Sequence, residues 1–312
     1  MMNEFKNVLV VTDTRLNDHP IVQEAAEITK RNGGKMTVVD VAPDFHWTVR
    51  LAMADHDHVH DLIVKEKAES LEAIAAPLRQ SGLDVSTKVL EGKSSVEIIR
   101  EVNRNGHDLV MRIAKGSNSH SDSFFGNTGS RLLRQCPCSV WLVTKNTTPI
   151  FKHVLACVDT SSEDKTDHEL NDRIFKLAAS IRDCHEGRFS CIHAWSIWNE
   201  QMLKGRLGQD AFESLEQKTE TVVTERMQTF LDAQGEHCAE TAIVKGQAEE
   251  AITDFAKTNE VDLVVMGTVA RSGLAGLVTG NSAEEILSKI QCSILALKPA
   301  NFVSPIQNEE NI

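Results

Sequence analysis

A chain of 312 residues with 41% hydrophobic and 25% charged residues has room for two domains of ordinary size, each with its own core. Its formal net charge of −12, without any long Lys/Arg block, argues against a nucleic-acid binder, which needs a basic footprint to neutralise phosphates. No apolar run approaches the roughly 18 residues that suggest a membrane span, and the N-terminal MMNEFKNVLVVTD enters a strand-like run at once, so neither a span nor a signal peptide is expected.

In chain order, the first half alternates short β-branched runs with amphipathic stretches. Strands are predicted near 7–12, 35–41, 84–90, 108–113 and 138–144, and helices near 19–32, 58–81, 94–105 and 128–135. Asp13 ends the first strand. Asp55-His56-Asp57-His58-Val59-His60-Asp61 opens the second helix. His56 and His60 share one helical face, a spacing that can chelate zinc or nickel, whereas a solvated acidic helix start explains the same residues without a metal. Pro77 predicts a kink or an end to that helix. Gly92-Lys93-Ser94 resembles the end of a P-loop, but Thr87 stands where the motif needs glycine. Ser94-x-x-Glu97 ahead of Ile98 and Ile99 reads as a capping box.

Cys136-Pro-Cys138 has no second pair or suitably placed histidine, so it is a poor metal motif. The seven cysteines are scattered and odd in number, which fits reduced core thiols in a cytoplasmic protein. A polar junction, KNTTP at 145–149, separates the halves. The second half repeats the order, with strands near 153–158, 188–194, 239–244, 261–266 and 293–298. Apolar residues cluster at 46–63 (Trp47, Val49, Leu51, Met53) and 195–215 (Trp195, Ile197, Trp198, Met202, Leu203, Leu207). They read as core beneath the second helix, or as a groove for an amphiphilic ligand.

The halves align. FKNVLVVTD (5–13) matches FKHVLACVD (151–159) at an offset of 146, while Gly92, Asp108, Gly126 and Cys138 match Gly246, Asp262, Gly280 and Cys292 at 154. About seven extra residues therefore lie just after Asp159, where a polar loop absorbs them. Five landmarks in register mean duplication: a first domain over 1–146, a second over 150–300, and a flexible tail over 301–312. Runs such as NVLVVT are apolar on both faces, as parallel strands covered by helices are. Five strand-helix units per half imply two tandem doubly wound five-stranded α/β sheets. Such sheets bind ligands at the carboxyl ends of strands, where strand order reverses. The stretch 261–282, an apolar strand, a glycine loop and a helix start, has the form of an anion cradle.

The (V/I)LV..D first strand, the DLV fourth strand, the glycine loop, the Asn-Ser/Thr helix start and the final CxV/CxI strand recur in both halves. In combination they resemble the universal stress protein family, in its tandem two-domain form, across residues 4–299. The resemblance implies an adenine-nucleotide alpha-hydrolase-like fold, with the two domains packed as a pseudo-dimer. Nucleotide-binding members carry Gly-x2-Gly-x9-Gly followed by Ser or Thr. Here the positions are Gly267, Ala270 and Gly280 before Asn281-Ser282, and in the first half Ile113, Gly116 and Gly126 before Asn127-Thr128. Each half departs at one glycine.

If position 270 needs a positive φ, alanine costs roughly 1 kcal/mol there. A β-branched Ile113 is worse under the same demand. The resemblance places Asp159 near ribose or adenine, Ala194 and Met266 against the base, and Gly267, Ala270, Gly280, Asn281 and Ser282 around the phosphates. The first site (Asp13, Val41, Arg112, Gly116, Gly126, Asn127, Thr128) reads as degenerate, with Arg112 expected to reach Asp13 and plug it. No catalytic constellation assembles from the motifs. The expected function is a cytoplasmic stress-response binding protein, with resistance to stress including DNA-damaging agents implied by the resemblance. ATP or another nucleotide-like or amphiphilic ligand is expected mainly in the second half. The alternatives are a sensor or carrier of an amphiphilic, lipid-like metabolite, and a weak ATPase or nucleotide switch.

Overall fold

Residues 4–44, 55–114, 126–144, 150–235, 240–268 and 281–307 are described from a computed structural model, with the side chains of Asn281 and Ser282 left aside. The chain divides into two units, Met1–Pro149 with Phe302–Ile312, and Ile150–Asn301.

The first unit runs β1 (Asn7–Val11), α1 (Pro20–Asn32), β2 (Lys35–Ala42), α2 (His56–Gln80), β3 (Asp84–Glu91), α3 (Ser94–Asn105), β4 (Leu109–Ile113), α4 (Gly126–Gln135) and β5 (Ser139–Val143). Its strands lie in the order β3-β2-β1-β4-β5, parallel throughout, with Val11 opposite Val39 on one side and Arg112 on the other. The second unit runs β6 (His153–Cys157), α5 (Lys165–His185), β7 (Arg188–Trp195), α6 (Glu200–Leu207), α7 (Gln209–Gln234), β8 (Glu240–Lys245), α8 (Ala248–Thr258), β9 (Leu263–Gly267), α9 (Asn281–Lys289) and β10 (Ser293–Leu297). Its order, β8-β7-β6-β9-β10, reproduces the first. Both units are the doubly wound α/β fold that the repeat predicted. In each, the chain reverses direction across the sheet between the first and fourth strands.

The strands form because their residues are apolar on consecutive positions. Val8 to Val11 are all buried, as are His153 to Cys157, which requires cover on both faces and excludes an alternating solvent-facing strand. Each such side chain contributes roughly 1.5–3 kcal/mol by leaving water. The recurring Asp108 and Asp262 serve this framework. Asp108 accepts from the backbone N–H of Lys6 at 2.8 Å and Asn7 at 3.1 Å, and Asp262 accepts from that of His153 at 2.9 Å. Each carboxylate ties the fourth strand's start to the first strand's start.

Gly34 and Gly187 recur for a steric reason. A Cβ on either would lie 2.5 Å from a carbonyl oxygen, of Lys6 or of Phe151, so only glycine admits the crossing. The strand registers also refine the insertion. Val11 pairs with Val39 and Cys157 with Ile192, so seven residues separate the repeats by the second strand, and one more enters before Gly246.

The helix starts were less legible. Ser94 is the first helical residue rather than the cap, Lys93 precedes it without a side-chain bond, and Glu97 turns to Arg100 at 2.7 Å. The capping box does not form. Pro77 sits in the last turn of α2, which ends at Gln80. Residues 302–307, read from the sequence as tail, group with the first unit: Phe302 and Ser304 are buried, and Asn103 Nδ2 donates to the Ile306 carbonyl at 2.9 Å. The junction 145–149 lies outside the described residues.

Candidate functional site

In the second unit, the residues expected at the ligand stand at or just beyond the carboxyl ends of β6, β7 and β9 and at the start of α9. Asp159, two residues beyond β6, is held at both backbone groups by one side chain of α5. Its N–H donates to Asn171 Oδ1 at 3.0 Å, and Asn171 Nδ2 donates to its carbonyl at 2.8 Å. The Asp159 carboxylate accepts from the Ser161 N–H at 3.1 Å and hydroxyl at 2.5 Å. The loop is thereby fixed from behind. His193, in β7 beside Ala194, is almost wholly buried, with Nδ1 at 3.2 Å from the Val158 carbonyl and 3.4 Å from the Thr160 N–H. Burial lowers its pKa below the ordinary imidazole value, against an opposing bond to Val158.

Met266 is buried, and Gly267 closes β9 half-exposed. Gly267 has no positive φ; a Cβ there would sit 2.9 Å from Leu170 Cδ2. The glycine therefore makes room for α5 rather than permitting a turn. The same observation corrects the reading of Ile113. It ends β4 with no positive φ, so its β-branched side chain carries no backbone penalty. It differs from Gly267 by the space it fills. Next in the chain, buried Thr268 accepts from Lys298 Nζ at 2.5 Å, and Lys298 itself is only 2% exposed. A lysine directly after the apolar final strand is the sequence signal for this contact. Asn281 and Ser282 open α9. Ala270 and Gly280 lie outside the described residues.

The first unit builds the same corner differently. Asp13 is gripped by Arg15, through Nε at 2.8 Å and Nη2 at 2.7 Å. This fork, more than any other contact, brings the Asp13 carboxyl down to about 2. Buried Asp40, at the position of His193, accepts from the Thr14 N–H at 2.9 Å, the Thr14 hydroxyl at 2.6 Å and Lys67 Nζ at 2.5 Å. Arg112 is half-buried. Burial lowers its pKa, and the neighbouring charges of Asp13 and Asp40 oppose that shift. No hydrogen bond joins Arg112 to Asp13 among the described residues. The guanidinium on Asp13 is that of Arg15, two residues along the same loop. Val41 is buried in β2; Gly126 opens α4 at φ 65, with Asn127 exposed and Thr128 half-exposed. Gly116 lies outside the described residues.

Other candidates disperse. His56 Nδ1 lies 2.8 Å from Asp57 and His60 Nδ1 lies 3.7 Å from Glu91, so the two imidazoles face different carboxylates. No group of three His, Cys, Asp or Glu converges among the described residues. Cys136 and Cys138 bring their sulfurs to 3.5 Å, and burial first of all pushes the Cys138 thiol up; Cys292 is pushed up to about 12 by the same cause. These thiols are held protonated, as poor nucleophiles. Of the apolar residues at 195–215, Trp195 packs inside, whereas Trp198 is 78% exposed and Leu207 is also on the surface. Trp47, Val49, Leu51 and Met53 lie outside the described residues. No helix among the described residues is long and apolar enough to cross a membrane.

Comparison with known proteins agrees with this fold. The family model described as "Universal stress protein family" matches residues 4–144 and again 150–298. The chain is 26% identical to Universal stress protein E of Escherichia coli K12, over 99% of each chain. Among solved structures, it is similar to a functionally unknown protein from Pseudomonas aeruginosa PAO1 at 22% identity and a TM-score of 0.74, covering 96% of this chain and 95% of that one. A universal stress protein from Archaeoglobus fulgidus follows at 17% identity and a TM-score of 0.61, with 94% and 98% covered. With one family domain in each half, this chain belongs to the universal stress protein family as a tandem, two-domain member.

Proposed function

We propose that the protein is a cytoplasmic stress-response binding protein whose second repeat holds a nucleotide-type ligand, ATP being the first candidate. The observation that carries this reading is Lys298. It brings an ammonium to Thr268, the residue after Gly267, where the first repeat has Ala114 and Thr144. A cation at that point complements the partial positive charge of a helix N-terminus at α9. Phosphates would lie between Gly267 and the start of α9, the base against Met266 and Ala194, and the ribose toward Asp159. The first repeat is unsuited to the same ligand because Arg15 occupies Asp13. Binding, rather than turnover, is the activity proposed. Resistance to stress, including DNA-damaging agents, is the cellular role that family membership suggests.

Titration calorimetry of the full chain with ATP tests the site. One saturable site is expected, weakened about tenfold or more in Lys298→Met, since a hydrogen bond to a charged group contributes roughly 1.5–3 kcal/mol. Absence of heat, together with native mass spectra free of nucleotide, sinks the reading. Trp198, just after β7, and Leu207, at the end of α6, are exposed and favour one other reading, a carrier of an amphiphilic metabolite. It predicts an acyl-chain mass on the purified protein.

A further inference from the structure

Cys136 and Cys138 bring two sulfurs to 3.5 Å across the turn from α4 to β5, and the proposed ligand site uses neither. In the second unit Ile290 stands at the position of Cys136 and Cys292 at that of Cys138. One repeat carries a dithiol, and the other a single thiol, at the same turn. The backbone around the pair holds it in place. The Cys136 N–H donates to the Leu132 carbonyl at 2.9 Å, which fastens it to the end of α4. Cys138 directly precedes Ser139, the buried first residue of β5. Only Pro137 lies between them, and its ring fixes φ. Cys136 is wholly buried and Cys138 half-buried, so a reagent from solvent meets Cys138 first.

Two close thiols can ionise, capture a metal or be oxidised. Ionisation is disfavoured here: burial first of all, then Cys136 and the charge of Asp108, push the Cys138 thiol up. Metal capture needs thiolates and further ligands, and no group of three His, Cys, Asp or Glu converges among the described residues. Oxidation gives a neutral disulfide, the product that leaves no charge in a buried place near Asp108. It requires the sulfurs to close from 3.5 Å to about 2 Å, a shift on the scale of side-chain rotation.

We propose that Cys136 and Cys138 form a reversible dithiol–disulfide site, oxidised by a low-molecular-weight disulfide RS–SR. Cys138 loses its proton to solvent, and its thiolate attacks one sulfur of RS–SR. A Cys138–SR bond forms and RS⁻ leaves. Cys136, deprotonated in turn, attacks the Cys138 sulfur, forms the Cys136–Cys138 bond and expels the second RS⁻. The two released thiolates take up the two protons. Two protein thiols are thereby oxidised, and one small disulfide is reduced to two thiols. Because the Cys138 thiolate is scarce, the exchange is slow at neutral pH and speeds up as pH rises. The closed bond staples the end of α4 to the start of β5. This site is independent of the nucleotide reading.

Glutathione disulfide, in excess over the reduced full chain at about pH 8.5, tests the proposal. Thiols titrated in denaturant are expected to fall by two, from the seven of the sequence to five. The intact mass should fall by about 2 Da, the two hydrogens lost. A peptide map should place the link between Cys136 and Cys138, and dithiothreitol should restore all seven thiols. Cys138→Ser, at the half-buried position, should lose no pair of thiols, and Cys136→Ser should stop at a glutathione adduct on Cys138. Seven thiols remaining in the wild-type chain overturn the proposal. So do a link between other cysteines and a wild-type Cys138 that stops at the glutathione adduct. The wild-type map decides even if a variant misfolds.

Discussion

The two repeats share a backbone and differ in who neutralises whom at its ligand-facing corner. In the first, Arg15 holds Asp13 and Lys67 holds Asp40, with Arg112 close enough to feel both carboxylates. In the second, Asp159 takes hydrogen bonds from Ser161, a neutral histidine replaces Asp40, and the lysine of note stands instead beside Thr268. Charge has moved from the strand that carries Asp40 to the end of the last strand. A corner saturated by its own side chains is a structural joint, whereas the anion proposed for the second corner would meet the lysine beside Thr268. Duplication kept the frame and let the two corners diverge.

The largest expected effects test the sameness of the frame. Gly34→Val and Gly187→Val each push a Cβ onto a carbonyl oxygen 2.5 Å away, and each should cost about 3 kcal/mol or more in urea unfolding. If one is tolerated, the two crossings are not equivalent. Next, Lys67→Met strands a buried carboxylate at Asp40 and should cost about 3 kcal/mol. No such dependence on a lysine is expected at His193. A wild-type melting curve for Lys67→Met would mean that the first corner is not held by this pair.

A pH test separates the repeats in another way. Glu101, only 2% exposed, is brought down to about 2 by His107 first, then by Lys88 at 2.7 Å and Asn105. Its folded pKa lies below its unfolded one, so its stabilisation is present above about pH 4.5 and is lost as pH falls toward 2. Acid unfolding of wild type against Glu101→Gln should show the variant less stable by about 2–3 kcal/mol near neutrality, with the gap closing through that window. A gap that stays constant with pH would exclude the charge as its source. Smaller still, Asp108→Asn and Asp262→Asn should each cost about 1–2 kcal/mol, and nearly equally, because each ties the first strand to the fourth. Unequal losses would show that only one latch matters. The smallest effect is expected for Arg15→Gln. Its side chain is 82% exposed, so stability should change by about 0.5 kcal/mol or less.

How much was visible beforehand depended on whether a residue acts along the chain or across it. Strand positions were legible because burial on both faces demands consecutive apolar residues, and Val8–Val11 has them. Ser94 and Glu97 misled because capping depends on which residue leaves the helical φ/ψ, and Lys93 occupies that place. Gly267 was singled out by its place in the glycine spacing, and its backbone has no positive φ. Spacing marks the position, but not whether a turn or a neighbour such as Leu170 favours glycine there. Arg112 was a fair guess at a charge partner, yet Arg15 lies closer along the loop.

By itself, then, the sequence determined the duplication, the alternation of strands and helices along each repeat and which residues stand at the strand ends. These follow from periodicity and from landmarks kept at fixed offsets, which are properties of a line. Only the tertiary structure decided what fills each corner. Asn171 clamping Asp159, Lys67 reaching Asp40 and Lys298 meeting Thr268 join residues 12 to 30 positions apart. Hydrogen bonds and charge pairs act over a few ångströms of space, and distance along the chain carries no record of them.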